Sequence, residues 1–253
     1  DGRDVAVMVQ YPGVARSIDS DVSNVGALVK LSGMVPKGFD MAPFLDEARA
    51  QLHEETDYLL EGRHLKAFSA RLAHDPGFEV PTFHEDWSTR EILTMSFVEG
   101  HAIEDVQDLD AETRNTVATR LITLLLRELF EFKTVQSDPN FANYRYNPKT
   151  RRVVLLDFGA TRALDPTLVV HYHALFAAGL AGETEGVRAA AGQIGFLSAT
   201  ARPQDQERIA RMIGMVFDAL RADEIYDFNS KDLSQKMHVE GMALAESGYV
   251  PPP

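Results

Sequence analysis

The segment VQSDPNFANYRYNPKTRRVVLLDFGATR carries the strongest chemical signal in the sequence. Asn143 follows Asp138 by five residues, and a predicted hairpin then leads into Asp157-Phe158-Gly159. Transfer of a phosphoryl group from Mg·ATP needs one carboxylate to orient or deprotonate the nucleophile. It also needs an amide oxygen and a second carboxylate that hold the metal against the phosphates. The spacing therefore predicts Asp138 as the catalytic residue and Asn143 and Asp157 as magnesium ligands.

Each part of this segment also has an ordinary structural interpretation. The Asp-Pro-Asn sequence that starts at Asp138 is typical of a turn, Asn143 of a strand cap, and the Asp-Phe-Gly sequence at Asp157 of a bend after a strand. The three parts occur in order, after a long apolar helix and around a hairpin, and turn chemistry alone does not readily produce that combination. We therefore favour a kinase-like site over three independent turns.

A second acidic group lies in QLHEETDYLLEG, within a long helix that is predicted over Pro43–Leu72. Asp57 and Glu61 are four residues apart and share one face of such a helix, whereas Glu55 and Asp57 point to different sides. In a kinase-like fold, an acidic residue of this helix pairs with a lysine of a neighbouring strand. A solvated acidic helix face explains the same residues, and only the position between two predicted strands favours the functional interpretation.

Two predicted strands complete the candidate site. The apolar, valine-rich sequence VAVMVQYPG predicts a buried strand over Val5–Gln10. Met8 occupies the position at which a kinase-like fold carries its phosphate-binding lysine. The sequence TREILTMSFVEG predicts a second strand over Glu91–Val98, and a hinge at its end would offer the backbone of Ser96 and Val98 to an adenine ring.

The pattern as a whole predicts an α+β fold with two lobes, similar to that of protein kinases. Residues 1–99 would form a partial small lobe with the phosphate strand, the acidic helix and the hinge strand. Residues 100–253 would form a larger, mostly helical lobe with the catalytic loop and the Asp-Phe-Gly element. This second lobe begins with an apolar helix over Ala111–Phe132 and contains a hairpin of Tyr144–Tyr146 and Val153–Leu156, and its pattern is almost entirely helical after Asp165.

The composition limits the classes of partner. A chain of 253 residues with 45% hydrophobic content can bury a full core. The formal net charge of −13 argues against nucleic acid as a partner, and no apolar run approaches the length of a transmembrane segment. The absence of cysteine excludes disulfides and cysteine nucleophiles. A tight-turn sequence at Asp1-Gly2 runs straight into a strand, so we expect a piece of a longer protein.

These blocks resemble, in their order and over nearly the whole chain, the UbiB or aarF-domain family of atypical kinase-like proteins. The blocks are VAVMVQYPGV, ETDY, LLLRELFEF, QSDPNFAN and VVLLDFGATR. The resemblance implies a two-lobed protein-kinase-like fold, binding of ATP or ADP with Mg²⁺, ATPase activity and support of ubiquinone (coenzyme Q) biosynthesis. The implied partners are a nucleotide and lipids or membrane-associated proteins of ubiquinone biosynthesis. The implied location is the bacterial cytoplasm, peripheral to the inner membrane, or the mitochondrial matrix in a eukaryote.

The resemblance also implies roles for individual residues. Asp138 matches the family's catalytic-loop aspartate, and Asn143 and Asp157 match its two metal ligands. Glu55 matches the glutamate that pairs with the strand lysine. The positions implied to contact the nucleotide or its lysine lie on the strand, the acidic helix and the hinge: Met8, Glu55, Asp57, Glu61, Ser96 and Val98.

Two departures from the family pattern leave the activity open. The family's K-x-G-Q segment and its alanine-rich nucleotide loop would lie before Asp1, and Met8 replaces the strand lysine. A methionine cannot donate a hydrogen bond to a phosphate or pair with Glu55. Three hypotheses remain: a kinase-like domain with an ATPase or regulatory role, a catalytically impaired pseudokinase that serves as a scaffold, and a small-molecule phosphotransferase.

Overall fold

The structure, a computed structural model, describes residues 2–32, 40–138, 140–197, 201–222, 224–227 and 230–249. The chain divides into two compact units, Asp1–Ala163 and Leu164–Pro253. The elements described in the first unit are, in chain order, β1 (Val5–Val9), α1 (Val14–Ser32), α2 (Ala42–Glu55), α3 (Tyr58–Leu72), β2 (Phe78–Glu79), β3 (Ile92–Ser96), β4 (His101–Ala102), α4 (Ala111–Arg127), β5 (Thr134–Gln136), β6 (Tyr144–Asn147), β7 (Arg152–Leu155) and β8 (Thr161–Ala163). Those of the second unit are α5 (Pro166–Ala181), α6 (Thr184–Ile194), α7 (Pro203–Arg221) and α8 (Asp232–Glu246).

β1 and β3 form an antiparallel pair in which Met8 lies opposite Leu93. Ala6 and Met8 pack against the core of the unit, whereas Val7 and Val9 are exposed. This alternation is that of a strand with one face on the core, and it places the Met8 side chain on the inner face. Both predicted strands are confirmed, although each is slightly shorter than expected. The expectation that the first of them is buried is wrong, because Val7 and Val9 are exposed.

The predicted continuous helix over Pro43–Leu72 is wrong, because the structure breaks it between α2 and α3. At the break, the Asp57 carboxylate accepts hydrogen bonds from the backbone N–H groups of Leu59 and Leu60, both at 3.1 Å. Asp57 is therefore the N-cap of α3, and it satisfies N–H groups that the start of a helix leaves unpaired. The shared helix face that was expected for Asp57 and Glu61 consequently does not form.

A four-stranded sheet in the order β2-β7-β6-β4 contains the predicted hairpin. β6 and β7 pair antiparallel, and Val153 and Val154 of β7 are fully buried. β2 pairs parallel with β7, so the sheet joins strands from before and after residue 100. The compact units separate after Ala163. The assignment of residues 1–99 and 100–253 to two lobes stays a prediction.

α4 begins at the N-cap Asp110, whose carboxylate accepts a hydrogen bond from the Thr113 N–H at 2.9 Å. The helix continues as a π-helical turn, Glu128–Phe132, and ends at Lys133, which has a left-handed backbone with a φ of 51°. The predicted helix over Ala111–Phe132 is thus confirmed in extent, but its last turn is a π-turn. Such turns are frequent near functional sites, and here the turn leads directly into β5.

Phe158 is part of the main core of the first unit. Its ring lies 5.1 Å from that of Phe68 on α3, measured between ring centroids, and both side chains are almost fully buried. Leu155, at the end of β7, is buried in the same core cluster. The apolar middle residue of the Asp-Phe-Gly sequence therefore anchors the backbone on which Asp157 and Gly159 stand.

The second unit consists of helices in its described part, as the pattern after Asp165 predicts. The Asp165 carboxylate caps α5 by accepting a hydrogen bond from the Thr167 N–H at 2.7 Å, and α5 ends at Gly182, which has a φ of 73°. The core of the unit contains Leu175, Ala178, Val187, Ala190 and Phe217. Across the described residues of the whole chain, the helices all fall short of the length and apolar character that a bilayer span requires.

Candidate active site

A cavity of about 330 Å³ lies beside β1 in the first unit. Four of its lining residues carry carboxyl groups, and β1 contributes a thioether. The lining residues are Met8, Glu55, Tyr58, Glu61, Asp138, Asp157, Gly159 and Ala160. Segments that are distant in the sequence meet here: β1, the α2–α3 break, the loop after β5 and the bend after β7. Five of the residues predicted for the site are therefore brought together.

The break between α2 and α3 explains how this helix pair supplies three lining residues. Glu55 is the last residue of α2, and Tyr58 and Glu61 belong to the first turn of α3. The Gln10 Nε2 donates a hydrogen bond to the backbone carbonyl of Thr56 at 2.5 Å. This bond ties the break to the segment that follows β1, and it holds the acidic residues beside that strand.

Glu61 is the buried carboxyl of the cavity. It is only 4% exposed, and its Oε1 has no hydrogen-bond partner among the described residues. Burial and the charges of Asp157 and Glu55 raise the pKa of Glu61 to about 7, although a hydrogen bond from the Phe158 backbone opposes the shift. Buried polar groups in proteins are normally paired. Met8, which lines the same cavity, carries no charge that would pair with this carboxyl.

β7 brings Asp157 to the cavity at the end of a buried apolar run. The Asp157 Oδ1 accepts a hydrogen bond from the Gly159 N–H at 2.9 Å, which closes the bend after the strand. A Cβ atom at Gly159 would lie 3.4 Å from the Asp157 Oδ1 and 3.7 Å from the Glu61 Oε2. Gly159 is thus near both carboxyl groups, and a Cβ atom there would make only ordinary van der Waals contacts with them.

The loop after β5 places Asp138 and Asn143 in contact. The Asn143 Nδ2 lies 3.5 Å from the Asp138 Oδ2 and 3.4 Å from the Asp138 carbonyl oxygen. The Asn143 carbonyl accepts a hydrogen bond from the Leu156 N–H at 3.0 Å, which ties the loop to the residue before Asp157. Asp138 lines the cavity, and Asn143 contacts the Asp138 side chain from the adjoining turn.

Three of the residues predicted to bind the nucleotide are not among those that line the cavity. The Asp57 carboxylate caps α3 and forms an ion pair with Arg90 at 3.3 Å. The Ser96 N–H donates to the Thr82 carbonyl at 2.9 Å, and the Ser96 hydroxyl accepts from the Thr82 N–H at 2.8 Å. Val98 follows the end of β3. Contacts of these residues with a nucleotide stay predictions.

Sequence reasoning missed two polar residues of the site. Tyr58 lines the cavity, and burial together with the charges of Glu61 and Asp157 raises the pKa of its hydroxyl. The Gln136 Nε2 donates a hydrogen bond to the carbonyl of Asp157. The available signals were positional: Tyr58 ends the ETDY block, and Gln136 stands two residues before Asp138.

The donor set of the cavity fits Mg²⁺. Mg²⁺ prefers oxygen ligands and is usually held by one or two carboxylates, with phosphates and water in its other positions. Asp138 and Asp157 supply carboxylate oxygens to the cavity, and the Glu61 Oε1 is an oxygen without a hydrogen-bond partner among the described residues. Asn143, which contacts Asp138, adds an amide next to the cavity. In the described part of the chain, no group of three or more histidine or acidic residues is arranged to hold a metal by itself.

The strand pair β1–β3, the acidic start of α3 and the hairpin that ends in Asp157-Phe158-Gly159 define a kinase-like α+β fold. Rv3197 of Mycobacterium tuberculosis, solved in complex with erythromycin, is similar in fold with a TM-score of 0.64 and 21% identity, over 94% of this chain and 59% of that one. Residues 1–191 match the ABC1 atypical kinase-like domain. The chain belongs to this family, which confirms the resemblance and the fold class that the motifs predict.

Curated relatives extend the match over the whole chain. The chain is 32% identical over 252 residues to the mitochondrial atypical kinase COQ8B of Danio rerio, covering 100% of this chain and 40% of that protein. It is 34% identical over 253 residues to COQ8B of Rattus norvegicus, covering 100% of this chain and 48% of that protein. It is 32% identical over 254 residues to the mitochondrial atypical kinase COQ8 of Saccharomyces cerevisiae, covering 100% of this chain and 51% of that protein. The chain thus spans about half the length of these relatives or less.

Proposed function

We propose that this chain is an atypical kinase-like domain that binds ATP or ADP with Mg²⁺ in the cavity beside Met8. Through ATP hydrolysis or a regulatory role, it would support ubiquinone biosynthesis or related lipid metabolism. The observation that carries the proposal is the convergence of Glu55, Glu61, Asp138 and Asp157 on one cavity. Like charges at close range disfavour one another, so such a group suits a site that takes up a cation with its ligand.

The position of each residue suggests its role. Asp138 lies in an exposed loop, where it orients an attacking hydroxyl or water and accepts its proton. Asp157 and Asn143 would hold Mg²⁺, which, when bound, neutralises charge on the phosphates. Glu55 and Glu61 line the cavity together with Met8, and the family resemblance implies a lysine at the position of Met8 that pairs with Glu55.

The ubiquinone part of the proposal rests on the family. The relatives carry the name COQ8 and are described as mitochondrial atypical kinases. We propose lipids or membrane-associated proteins of ubiquinone biosynthesis as partners of this chain. Its location would be the mitochondrial matrix in a eukaryote, or the cytoplasm, peripheral to the inner membrane, in a bacterium.

Met8 favours a second candidate function, that of a catalytically impaired pseudokinase that acts as a scaffold. A thioether neither donates a hydrogen bond to a phosphate nor neutralises Glu61. The phosphates of a bound nucleotide would then be held only through Asp138, Asn143, Asp157 and the metal, and they would be less well ordered for reaction. Binding without turnover is the expected behaviour of such a domain.

A thermal-shift titration tests the binding proposal. We expect Mg·ADP or Mg·ATP at millimolar concentration to raise the melting temperature of the wild type, because a ligand of the folded state stabilises it. Asp157→Asn should remove the part of the shift that depends on magnesium. Asp86→Asn is the matched control, because Asp86 is exposed and does not line the cavity. A wild type without any shift would contradict the proposal.

Phosphate release separates the two candidate functions. Hydrolysis by the wild type that is lost in Asp138→Asn would support the enzyme. Nucleotide binding without phosphate release, in a wild type that shows the thermal shift, would support the scaffold.

A further inference from the structure

The Gln136 side chain connects the two segments that carry the proposed catalytic and metal-binding residues. Its Nε2 donates to the backbone carbonyl of Asp157, and its Oε1 accepts a hydrogen bond from the Tyr144 hydroxyl at 3.1 Å. Along the chain, Gln136 stands two residues before Asp138, and Tyr144 directly follows Asn143. The Gln136 side chain thus bonds directly to Asp157 and to Tyr144, the residue next to Asn143. Asp138 follows Gln136 two residues later, in the loop after β5. These three residues, Asp138, Asn143 and Asp157, are called the metal-side residues below.

Glu128 fixes the backbone of Gln136 through a hydrogen bond. The Gln136 N–H donates to the Glu128 Oε2 at 3.1 Å. Glu128 is buried, with 4% exposed, and it is the first residue of the π-turn that ends α4. Both the backbone and the side chain of Gln136 are thus held in place.

The carbonyl of Asp157 needs a partner from outside its own sheet. The pairing of β6 with β7 ends where Tyr144 lies opposite Leu155, so the ladder does not reach Asp157. Asp157 is half-buried and the next residue, Phe158, is fully buried, which limits access of water to the backbone at this bend. A backbone carbonyl in such a place is normally paired, and Gln136 supplies the donor.

We propose that Gln136 is a positioning residue that holds Asp157 and the catalytic loop in one arrangement. Tyr144 orients its amide, and Glu128 anchors its backbone. Gln136 is not among the residues that line the cavity, so it acts on a bound ligand only through its neighbours. Its effect on nucleotide binding rests on the proposed function, whereas its effect on the nucleotide-free protein does not.

Amide hydrogen exchange of the nucleotide-free protein is the first test. Gln136→Met keeps the length of the side chain and removes both its donor and its acceptor. We expect exchange to become about fivefold faster in peptides that contain Phe158 and Gly159, because one net hydrogen bond is lost there. Gln206→Met is the matched control, since Gln206 also donates to a backbone carbonyl, that of Ala201, but in the second unit. Unchanged exchange at Phe158 and Gly159 would overturn the proposal.

Tyr144→Phe is a milder variant that keeps the proposal testable if Gln136→Met does not fold. It removes only the hydroxyl that donates to the Gln136 Oε1. We expect faster exchange in the peptides that contain Phe158 and Gly159, by a smaller factor than in Gln136→Met. A change confined to the peptides around Tyr144 would count against a role for Gln136 in the link to Asp157.

Nucleotide titrations with and without magnesium are the second test. Gln136→Met should weaken the binding of Mg·ADP about fivefold to tenfold and leave the binding of ADP in a chelator unchanged, because only the metal-side residues are displaced. A merely destabilised protein would lose both affinities or neither. A wild type that binds no nucleotide would contradict the proposed function, and the exchange result would still decide the positioning role. Equal Mg·ADP affinity in the wild type and Gln136→Met would overturn the proposal that Gln136 positions the metal-side residues for nucleotide binding.

Discussion

Met8 and Glu61 line the same cavity, where a neutral thioether stands near a buried carboxyl whose Oε1 has no hydrogen-bond partner in the described part of the chain. A buried carboxylate is unfavourable unless it is paired, and burial shifts its titration toward the protonated form. The residues described as lining the cavity include no lysine or arginine, so this carboxyl lacks a compensating positive charge there, and the deficit has measurable consequences.

Replacement of Met8 by lysine should supply that charge. We expect the pKa of Glu61 to fall in Met8→Lys, because a nearby ammonium group favours the carboxylate. A hydrogen bond to a charged group contributes about 1.5–3 kcal/mol, so Mg·ADP should bind about tenfold to hundredfold more tightly. Isothermal titration calorimetry measures this change. Met8→Leu is the control and should keep the affinity of the wild type; equal affinities of the lysine and leucine variants would contradict the placement of Met8 at the phosphates.

Glu61 predicts a stability that falls as the pH rises. Its pKa in the folded state is about 7, above its ordinary value of 4.5, so the folded protein keeps a proton that the unfolded chain releases. The free energy of unfolding should therefore decrease from about pH 4.5 to about pH 7 and then level off, by at most about 3 kcal/mol from this residue. Urea denaturation in metal-free buffer measures the slope.

The Glu61→Gln variant isolates this contribution, because glutamine does not ionise. Its stability should decrease less with pH than that of the wild type, while a slope remains because burial also raises the pKa of Glu128 to about 7. A slope identical to that of the wild type would show that Glu61 does not titrate in this range.

Glu128 should matter for stability through the hydrogen bond that it accepts from the Gln136 N–H. Glu128→Leu leaves this N–H without an acceptor, and we expect a loss of about 1–3 kcal/mol in the free energy of unfolding. Glu128→Gln keeps a side-chain oxygen and should remain close to the wild type at low pH. Chemical denaturation of both variants provides the comparison, and equal losses in the two would indicate that packing, not the hydrogen bond, is responsible.

Asp57 should behave as a helix cap. Asp57→Ala should lower the free energy of unfolding by about 1 kcal/mol, whereas Asp57→Asn, which keeps a capping oxygen, should lose little. Thermal melting checks both variants. Titration with Mg·ADP then tests the nucleotide role that the family resemblance implies: a stable Asp57→Asn protein with lowered affinity would support that role, and unchanged affinity would leave capping as its function.

Sequence patterns were informative where structure depends on neighbours along the chain. The strand that carries Met8 follows from a short valine-rich apolar run, and the hairpin before Asp157 from two short strand-like segments around turn residues, because these local preferences agree with the final fold. The helix over Pro43–Leu72 was predicted incorrectly, because its periodicity continues through the break. The Asp57 side chain caps the start of α3 at this break by accepting hydrogen bonds from the N–H groups of Leu59 and Leu60. Such a local hydrogen bond does not change the pattern of apolar residues, so the pattern does not predict it.

The sequence by itself determined the family and the order of the motifs, and it singled out Asp138, Asn143 and Asp157 as candidate site residues, since these lie within one short segment. Only the tertiary structure decided that Glu61 is buried in the cavity that Met8 also lines and that Gln136 contacts the backbone of Asp157. Burial and long-range hydrogen bonds depend on which distant segments pack together. Such contacts arise only when β1, α3 and the bend after β7 meet around one cavity.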